Sequence, residues 1–445
     1  MRLRKTITTI VATAILLAGW QLFAVIANQP ELIPSLPRLV RTLCEWLVSG
    51  SFYQSVGATI LRGVLGMSIS FVCAIGMAGL FARFEWVYEL FRPLLAIMRS
   101  IPVISFILLA LIFLNPESIP LMIAFLTMFP LLTENLTRGI LDLRPGLSIM
   151  ARQFHIRRSN VLFQIIYPQL KPFLYSGLAS AAGFGWRAII MGEVLSQCAF
   201  GIGSEMKRAQ NFIAVPELLA WTIVAVFISF FFDKGISKVA DITPKISFAN
   251  EDQTIPTPTL SVLDTKDISY QYGIQHFSHS FQKGIIYGIS APSGKGKTTL
   301  LNLIGGILLP TEGEIHPTRH FGIATIFQQP QLLPHLTAEE NIILPLSSFL
   351  TEEKARRIAQ KHLQEMEMEP FGNRYPKELS YGQQQRIAIA RALAYPSPLL
   401  LMDEPFKGLD EALSHRIIER IREKQMKEER IILFTSHNPD EIRLL

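Results

Sequence analysis

The sequence predicts a multidomain protein: an all-α bundle of about six membrane spans followed by a soluble α/β domain. Three observations predict it. The chain of 445 residues is 49% hydrophobic and only 18% charged, with a mean hydropathy of +0.31, too apolar for an average soluble protein. Long uncharged runs fill the chain up to about residue 240, whereas the remainder has the composition of a soluble fold. Finally, Ala291-Pro-Ser-Gly-Lys-Gly-Lys-Thr-Thr299 lies between two short apolar runs, Ile285 to Ile289 and Leu300 to Ile304, which reads as strand, glycine-bearing loop and helix.

In chain order, Met1-Arg-Leu-Arg-Lys5 precedes an apolar run from Ile7 to about Ala27. The run is longer than a usual signal-peptide core, so a retained span is expected. Further spans are expected at roughly 56–81, 94–114, 118–136, 173–196 and 217–236, each near the ~20 residues needed to cross. Between the first two, 38–48 has the pattern of an amphipathic helix on the membrane surface. Basic residues Arg83, Arg92, Arg138, Arg144, Arg152, Arg157, Arg158, Lys171, Lys234 and Lys238 all fall on the N-terminal side of the membrane. Only Arg38, Arg41, Lys207 and Arg208 dominate the other. The positive-inside rule therefore puts both ends of this half and the soluble domain in the cytoplasm. It also accounts for the +6 net charge as topology and not as nucleic-acid binding. Cleavage of the first run would leave the domain on the same side.

Small residues at Gly177, Ala181 and Gly185 form a stripe suited to close packing at a bundle or dimer seam. Arg99 and Arg187 fall inside expected spans. Arg99 is expected to snorkel to the inner interface, and Arg187 to contact an anionic substrate or a neighbouring helix. Glu193 is about 240° round the helix from Arg187 at ~100° per residue, so the two are not a local pair. In the basic inner loop from Arg138 to Pro168, Ser148 to Ile166 is expected to form two short cytoplasmic helices ending at Pro168. Three cysteines, Cys44, Cys73 and Cys198, have neither metal-ligand spacing nor a disulfide framework.

Polar, proline-dotted residues 241–259 read as a linker between a 1–240 membrane domain and a 260–445 soluble domain. In the soluble domain the loop 291–299 turns backbone N–H groups inward as an anion nest at a helix N-terminus. Ser293, Gly294, Lys295, Gly296, Lys297, Thr298 and Thr299 are the expected phosphate-binding residues, with Lys297 on the β- and γ-phosphates and Thr298 on Mg²⁺. Tyr272 is the expected base-stacking residue. Ile323 to Phe327 reads as a buried strand leading to Gln328, whose amide oxygen suits Mg²⁺ or a water. Ser380, Gly382 and Gln383 open a helical segment and make a second anion-binding helix start. Leu399 to Asp403 reads as a buried parallel strand. Asp403 at its end is expected to hold Mg²⁺, and Glu404 to act as general base on a water attacking the γ-phosphate. Ile431 to Thr435 is another buried strand, with His437 placed to reach a γ-phosphate oxygen.

The order Ala291–Thr299, Gln328, Leu379–Gln383, Asp403-Glu404 and Ser436-His437 resembles the Walker A, Q-loop, signature, Walker B and switch-histidine motifs of ABC-transporter ATPases. The resemblance covers about 260–445 and implies a P-loop NTPase fold and ATP hydrolysis. It further implies a homodimer that sandwiches two ATP molecules, each between Walker A of one chain and the signature helix of the other. The chain departs from the family at Ala291 and Tyr381, which replace glycines, and at Lys407-Gly-Leu-Asp410, where a serine-led loop is usual.

The first half resembles, more loosely, permeases of type I binding-protein-dependent importers, most of all the nitrate, sulfonate and taurine group. Leu36-Pro-Arg-Leu-Val40, Arg99-Ser-Ile-Pro102, Trp186 to Glu193 and Gly201-Ile-Gly203 carry that likeness. In the cytoplasmic segment Ile149 stands where that family usually has Glu, and His155 where it has Gly. The resemblance implies an inner-membrane half-importer fed by an extracytoplasmic substrate-binding protein and carrying a small solute, an anion being suggested by the group. An exporter and a non-translocating ATP-driven mechanical device stay open as alternatives.

Overall fold

The computed structural model describes residues 2–444 apart from 241–243, 254–259, 272, 293 and 318–321. Two compact units emerge. One comprises 1–143 with 170–242, the other 144–169 with 243–445.

The first unit is all helical. Among the described residues four helices are long and apolar enough to cross a membrane, Gly50–Arg83, Pro116–Leu141, Arg158–Ser196 and Val215–Ala240, and Val11–Ala27 is a shorter apolar helix. The expected 94–114 span is not straight. Glu85–Ser100 and Val103–Phe113 meet at 94°, because Pro102 drives Ile101 into an extended conformation (φ −71°, ψ 129°). Helix Gly50–Arg83 buries Ser55, Thr59, Gly63, Gly66, Ser70, Ala74, Ala78 and Phe81, so all but one of its buried side chains are small. Backbones approach closely along that stripe. A Cβ on Gly66 would lie 2.7 Å from Ala124 Cβ, and one on Gly63 2.6 Å from the Trp186 ring. The Gly177–Ala181–Gly185 stripe packs within the chain as well. Gly185 faces Met128 and Gly177 faces Asn135, both on helix Ile119–Leu141.

Charges in this unit pair across elements. Glu193 is fully buried and accepts from Arg62 (2.7 Å), Thr59 (2.9 Å) and the Gly203 amide (2.9 Å). Arg62 also binds Glu117 at 2.6 Å. A buried carboxylate requires such compensation, and it fastens the Gly201–Gly203 turn to the helix carrying Trp186 and Glu193. Arg99 does not simply snorkel: it pairs with Glu134, which also holds Arg138. Arg187 is exposed on its helix.

The described residues of the second unit form two sheets. β1 (Val262–Tyr270), β2 (Ile274–Gln282) and β4 (Glu312–His316) form an antiparallel sheet in the order β2-β1-β4. β3 (Ile286–Ile289), β5 (Ala324–Ile326), β6 (Leu399–Asp403) and β7 (Ile431–Thr435) form a parallel sheet in the order β3-β7-β6-β5. β6 and β7 are buried throughout, as parallel strands covered on both faces must be. Their side chains alternate between two cores. Leu399, Leu401, Ile431 and Leu433 pack with helix Lys297–Ile304 and the antiparallel sheet. Leu400, Met402, Ile432 and Phe434 join the helical core.

That helical core includes the 144–169 segment. Helix Pro145–Gln153 buries Leu147, Met150 and Ala151, and Phe154 beyond it has no exposed surface. Gln153 donates to Gly305 O (2.8 Å), and Asn160 to Ser247 O and Ser347 Oγ (both 2.8 Å). Residues 244–253 of the expected linker run along the same core, with amides of Ala249 and Gln253 bonded to the carbonyls of Ser347 and Phe349. The segment does not end at Pro168. A π-helical turn at Val161–Ile166 precedes it, and the helix continues as Tyr167–Ser196. A π-turn shifts the hydrogen-bond register, which lets the helix run past an imino acid without an N–H. His155 adopts φ +46°, the left-handed conformation in which a glycine is unstrained.

Phe154→Ala should destabilise the second unit by about 3 kcal/mol, seen as a lower first midpoint in thermal unfolding of the full chain. His155→Gly should leave that midpoint unchanged or raise it, whereas a β-branched His155→Val should lower it.

Candidate nucleotide site

Parallel strands β3, β6 and β7 end in register, with Ile289 and Asp403 both opposite Thr435. Three loops therefore leave the sheet side by side, as ligand-binding loops of such sheets do. The first is the 290–296 loop, whose left-handed residues are Gly294 (φ +80°) and Gly296 (φ +82°). A Cβ on Gly296 would also stand 2.9 Å from Gly273 O, so glycine is required there twice over. Ala291 is not among the left-handed residues, so its methyl costs the loop nothing, and its carbonyl accepts from Lys297 Nζ at 2.5 Å. Lys295 is exposed, its amide closing a turn on Pro292 O (3.3 Å), and Thr299 is half-buried on the helix that follows. Ser293 and Tyr272 lie outside the described residues.

Asp403 closes β6 and is buried. Its two oxygens accept from Thr298 Oγ1 (2.9 Å) and Thr435 Oγ1 (2.8 Å). A hydroxyl and a carboxylate side by side are the hard oxygen donors Mg²⁺ takes, one or two from protein and the rest from phosphates and water. Among the described residues no cluster of three or more His, Cys, Asp and Glu could hold a metal.

Glu404 follows in a left-handed conformation, φ +49°, strained for a residue with a Cβ. Its amide bonds Thr435 Oγ1 (3.2 Å), which turns the carboxylate away from the strand. Three groups surround it: His437 Nε2 at 2.8 Å, Gln328 Nε2 at 3.3 Å and Lys407 Nζ at 3.6 Å. Lys297 Nζ lies 3.3 Å from His437 Nδ1. An ammonium only donates, so Nδ1 accepts and Nε2 carries the proton given to Glu404. The tautomer of His437 is thus set by Lys297.

At the other helix start, Ser380 caps Tyr381–Ala394 in a reciprocal box with Gln383: Gln383 N donates to Ser380 Oγ (3.3 Å) and Ser380 N to Gln383 Oε1 (2.8 Å). Both side chains are engaged in capping, and Gly382 N stays at the helix N-terminus. Among the described residues, Ser380, Gly382 and Gln383 share no hydrogen bond with Lys297, Thr298 or Asp403. The residues unforeseen at the site are Thr435, Lys407 and the Ala291 carbonyl. Thr435 had a legible signal, as the last residue of a strand like β6. Beside Thr298, Gln328 and Asp403 lies a cavity of 250 Å³ that reaches Gly146 and Ile149 of helix Pro145–Gln153. A larger one, 550 Å³, lies near Arg152, His155 and His316 and touches none of these groups.

Over 274–407 the chain matches the model of ABC transporters, and over 68–233 that of binding-protein-dependent transport system inner membrane components. The thiamine import ATP-binding protein ThiQ of Yersinia pseudotuberculosis is 36% identical over 194 residues, 40% of this chain and 81% of ThiQ. The chain belongs to the ABC transporter family. It joins a permease-type domain and an ABC ATPase domain in one polypeptide. The Fe(3+) ions import ATP-binding protein FbpC of Rhizobium etli is 36% identical over 178 residues, 38% of this chain. This ABC chain spans about half the length of that relative (50%) and of the spermidine/putrescine import ATP-binding protein PotA of Nitrosomonas europaea (54%). A solved dimeric ATP-binding cassette bound to ADP and Pi aligns over 41% of this chain and 90% of that one, with 31% identity and a TM-score of 0.38.

Gly296→Ala should weaken binding of a fluorescent ATP analogue roughly tenfold, the effect of 1–2 kcal/mol of backbone strain, while Ala291→Gly should change it little.

Proposed function

We propose that this chain is one half of an ATP-driven importer, acting as a homodimer in the cytoplasmic (inner) membrane with its ATPase domain in the cytoplasm. The observation that carries this reading is the Lys297–His437–Glu404 relay beside the Thr298–Asp403 pair, in a chain that also matches an importer permease model. That match supports import over export, with an extracytoplasmic binding protein as partner.

Lys297 rests on two neutral acceptors, the Ala291 carbonyl and His437 Nδ1. Phosphate oxygens form stronger, charge-assisted bonds and so draw the ammonium to a nucleotide. Gly294 and Gly296 leave the loop amides free to approach the phosphates. Thr298, Asp403 and the Gln328 amide oxygen would hold Mg²⁺, which supplies positive charge to the phosphates when bound. Glu404 takes the proton of a water whose oxygen bonds to the γ-phosphorus, the β–γ bridging P–O bond breaks, and ADP and phosphate leave. His437 orients Glu404 and can follow the γ-phosphate as it develops charge. Ser380, Gly382 and Gln383 serve the partner chain's nucleotide. Closing of the two motor halves moves the 144–169 segment, which is packed into the ATPase core.

We read the cargo as a small anion, in keeping with the nitrate, sulfonate and taurine group. Two arginines, Arg99 and Arg138, share one carboxylate, Glu134. At the 94° bend lies a cavity of 220 Å³ lined by Arg99, Thr127 and Phe184 among apolar side chains. Arg187, exposed, is three residues from Phe184 and so on the same helix face.

Glu404→Gln should bind ATP but hydrolyse it at least ~100-fold more slowly, and Mg²⁺ chelation should abolish turnover; wild-type hydrolysis in the variant would remove the general-base role. In proteoliposomes, Arg187→Met should cut uptake of the anionic cargo while basal ATPase persists. Unchanged uptake and affinity would take Arg187 out of the path.

A further inference from the structure

Tyr381 stands where the family has the first glycine of its signature, and its side chain makes contacts that a glycine lacks. The phenol donates a 2.7 Å hydrogen bond to the backbone carbonyl of Gln328. The ring lies against Gly408, where a Cβ would come within 2.8 Å of the ring's Cδ1. Gly382, the next residue, is equally close to that turn: a Cβ on it would stand 2.6 Å from Gly408 O. Tyr381 is 41% exposed, so burial alone does not hold the ring in place; the hydrogen bond and the glycine contact do.

Both contacted elements carry the groups around Glu404. The Gln328 side chain donates to Glu404 Oε2 at 3.3 Å. Gly408 closes a turn that begins at Glu404 and contains Lys407, 3.6 Å from the same oxygen. Two residues on, the Asp410 side chain caps helix Glu411–Glu428 by accepting from Leu413 N (2.9 Å), so the far side of the turn is anchored. Tyr381 itself occupies the first position of the helix capped by Ser380. Two loops thus meet the phenol at the start of this helix.

In a sandwich dimer, on which this inference rests, the Ser380–Gln383 helix start serves the partner's nucleotide, whereas Gln328 and Glu404 serve the chain's own. We infer that Tyr381 is a positioning residue that links the two nucleotide sites of the dimer. A nucleotide engaging the helix start of one chain moves Tyr381. Its hydroxyl and ring carry the Gln328 backbone and the Glu404–Gly408 turn of the same chain toward the geometry that receives the second nucleotide. A coupling of about fivefold, the low end for such linkages, corresponds to a Hill coefficient of about 1.4 for two sites.

The test uses the full chain in lipid nanodiscs, with ATP dependence read in two ways: hydrolysis by chains with a native Glu404, and binding of a fluorescent ATP analogue by chains carrying Glu404→Gln. Tyr381→Phe keeps the ring on Gly408 and removes only the hydrogen bond. The expected result is a Hill coefficient above 1 with Tyr381 present, falling to about 1 with Tyr381→Phe in both readings. Gly408→Ala, which displaces the ring, should do the same. A purely structural tyrosine would shift amplitude or midpoint and leave the Hill coefficient alone. A Tyr381→Phe chain as cooperative as the parent, or a non-cooperative parent that binds ATP normally, overturns the link and leaves the nucleotide reading standing. Absence of ATP binding by the parent removes that reading and the link together.

Discussion

A buried guanidinium holds the second unit together. Arg391 has only 1% of its surface exposed, and burial pushes its pKa down to about 9, which leaves it charged at neutral pH. Such a charge is tolerable inside a protein only when its surroundings replace water. Here the carbonyls of Gln331 (2.8 Å) and Pro330 (2.9 Å) accept from it, and its Cζ lies over the Phe154 ring, 5.4 Å from the ring centre. Phe154 in turn meets Tyr395 edge-on at 5.1 Å. One side chain therefore joins the helix that begins at Ser380, the stretch just after Gln328 and the 144–169 segment. Displacing any of the three would strand a charge, so they are held as one body.

The candidate chemistry depends on a second constraint, the common ending of parallel strands. Because β6 and β7 are paired with Asp403 opposite Thr435, a threonine from one strand can orient the carboxylate of the next while the same hydroxyl takes the Glu404 amide. Glu404 is then forced into a left-handed turn that swings its side chain toward His437 and Gln328. Strain at such a position is tolerated where surrounding bonds over-determine it, and here they come from three loops at once.

The departures from the family pattern acquire physical sense in this frame. Ala291 is tolerated because the left-handed positions of its loop lie at Gly294 and Gly296. Tyr381 fills space left by Gly408 and reaches Gln328. Lys407 places a second cation beside Glu404. Ile149, where the family carries a glutamate, borders the cavity next to Thr298 and Asp403, and docking of its helix relies on apolar burial and on the amides of Gln153 and Asn160. His155 alone retains a cost, a side chain at φ +46°.

Much of the architecture is written locally. Apolar runs, short apolar strands ending in Asp403 or Thr435, glycines in the phosphate loop and the Ser380–Gln383 spacing each act within a few residues, so the membrane helices, the parallel strands and the cap were legible from the chain alone. So were Lys297, Thr298, Asp403, Glu404 and His437, because each sits at the end of such an element. Pairings between distant residues were not. Arg62 with Glu193, Arg391 with Phe154 and Tyr381 with Gln328 depend on which helix faces meet and on strand register, which no short window records. The same holds for the 94° bend at Pro102 and for the helix that runs on through Pro168: a proline signals disruption, but whether the chain bends or absorbs it in a π-turn is decided by what packs around it.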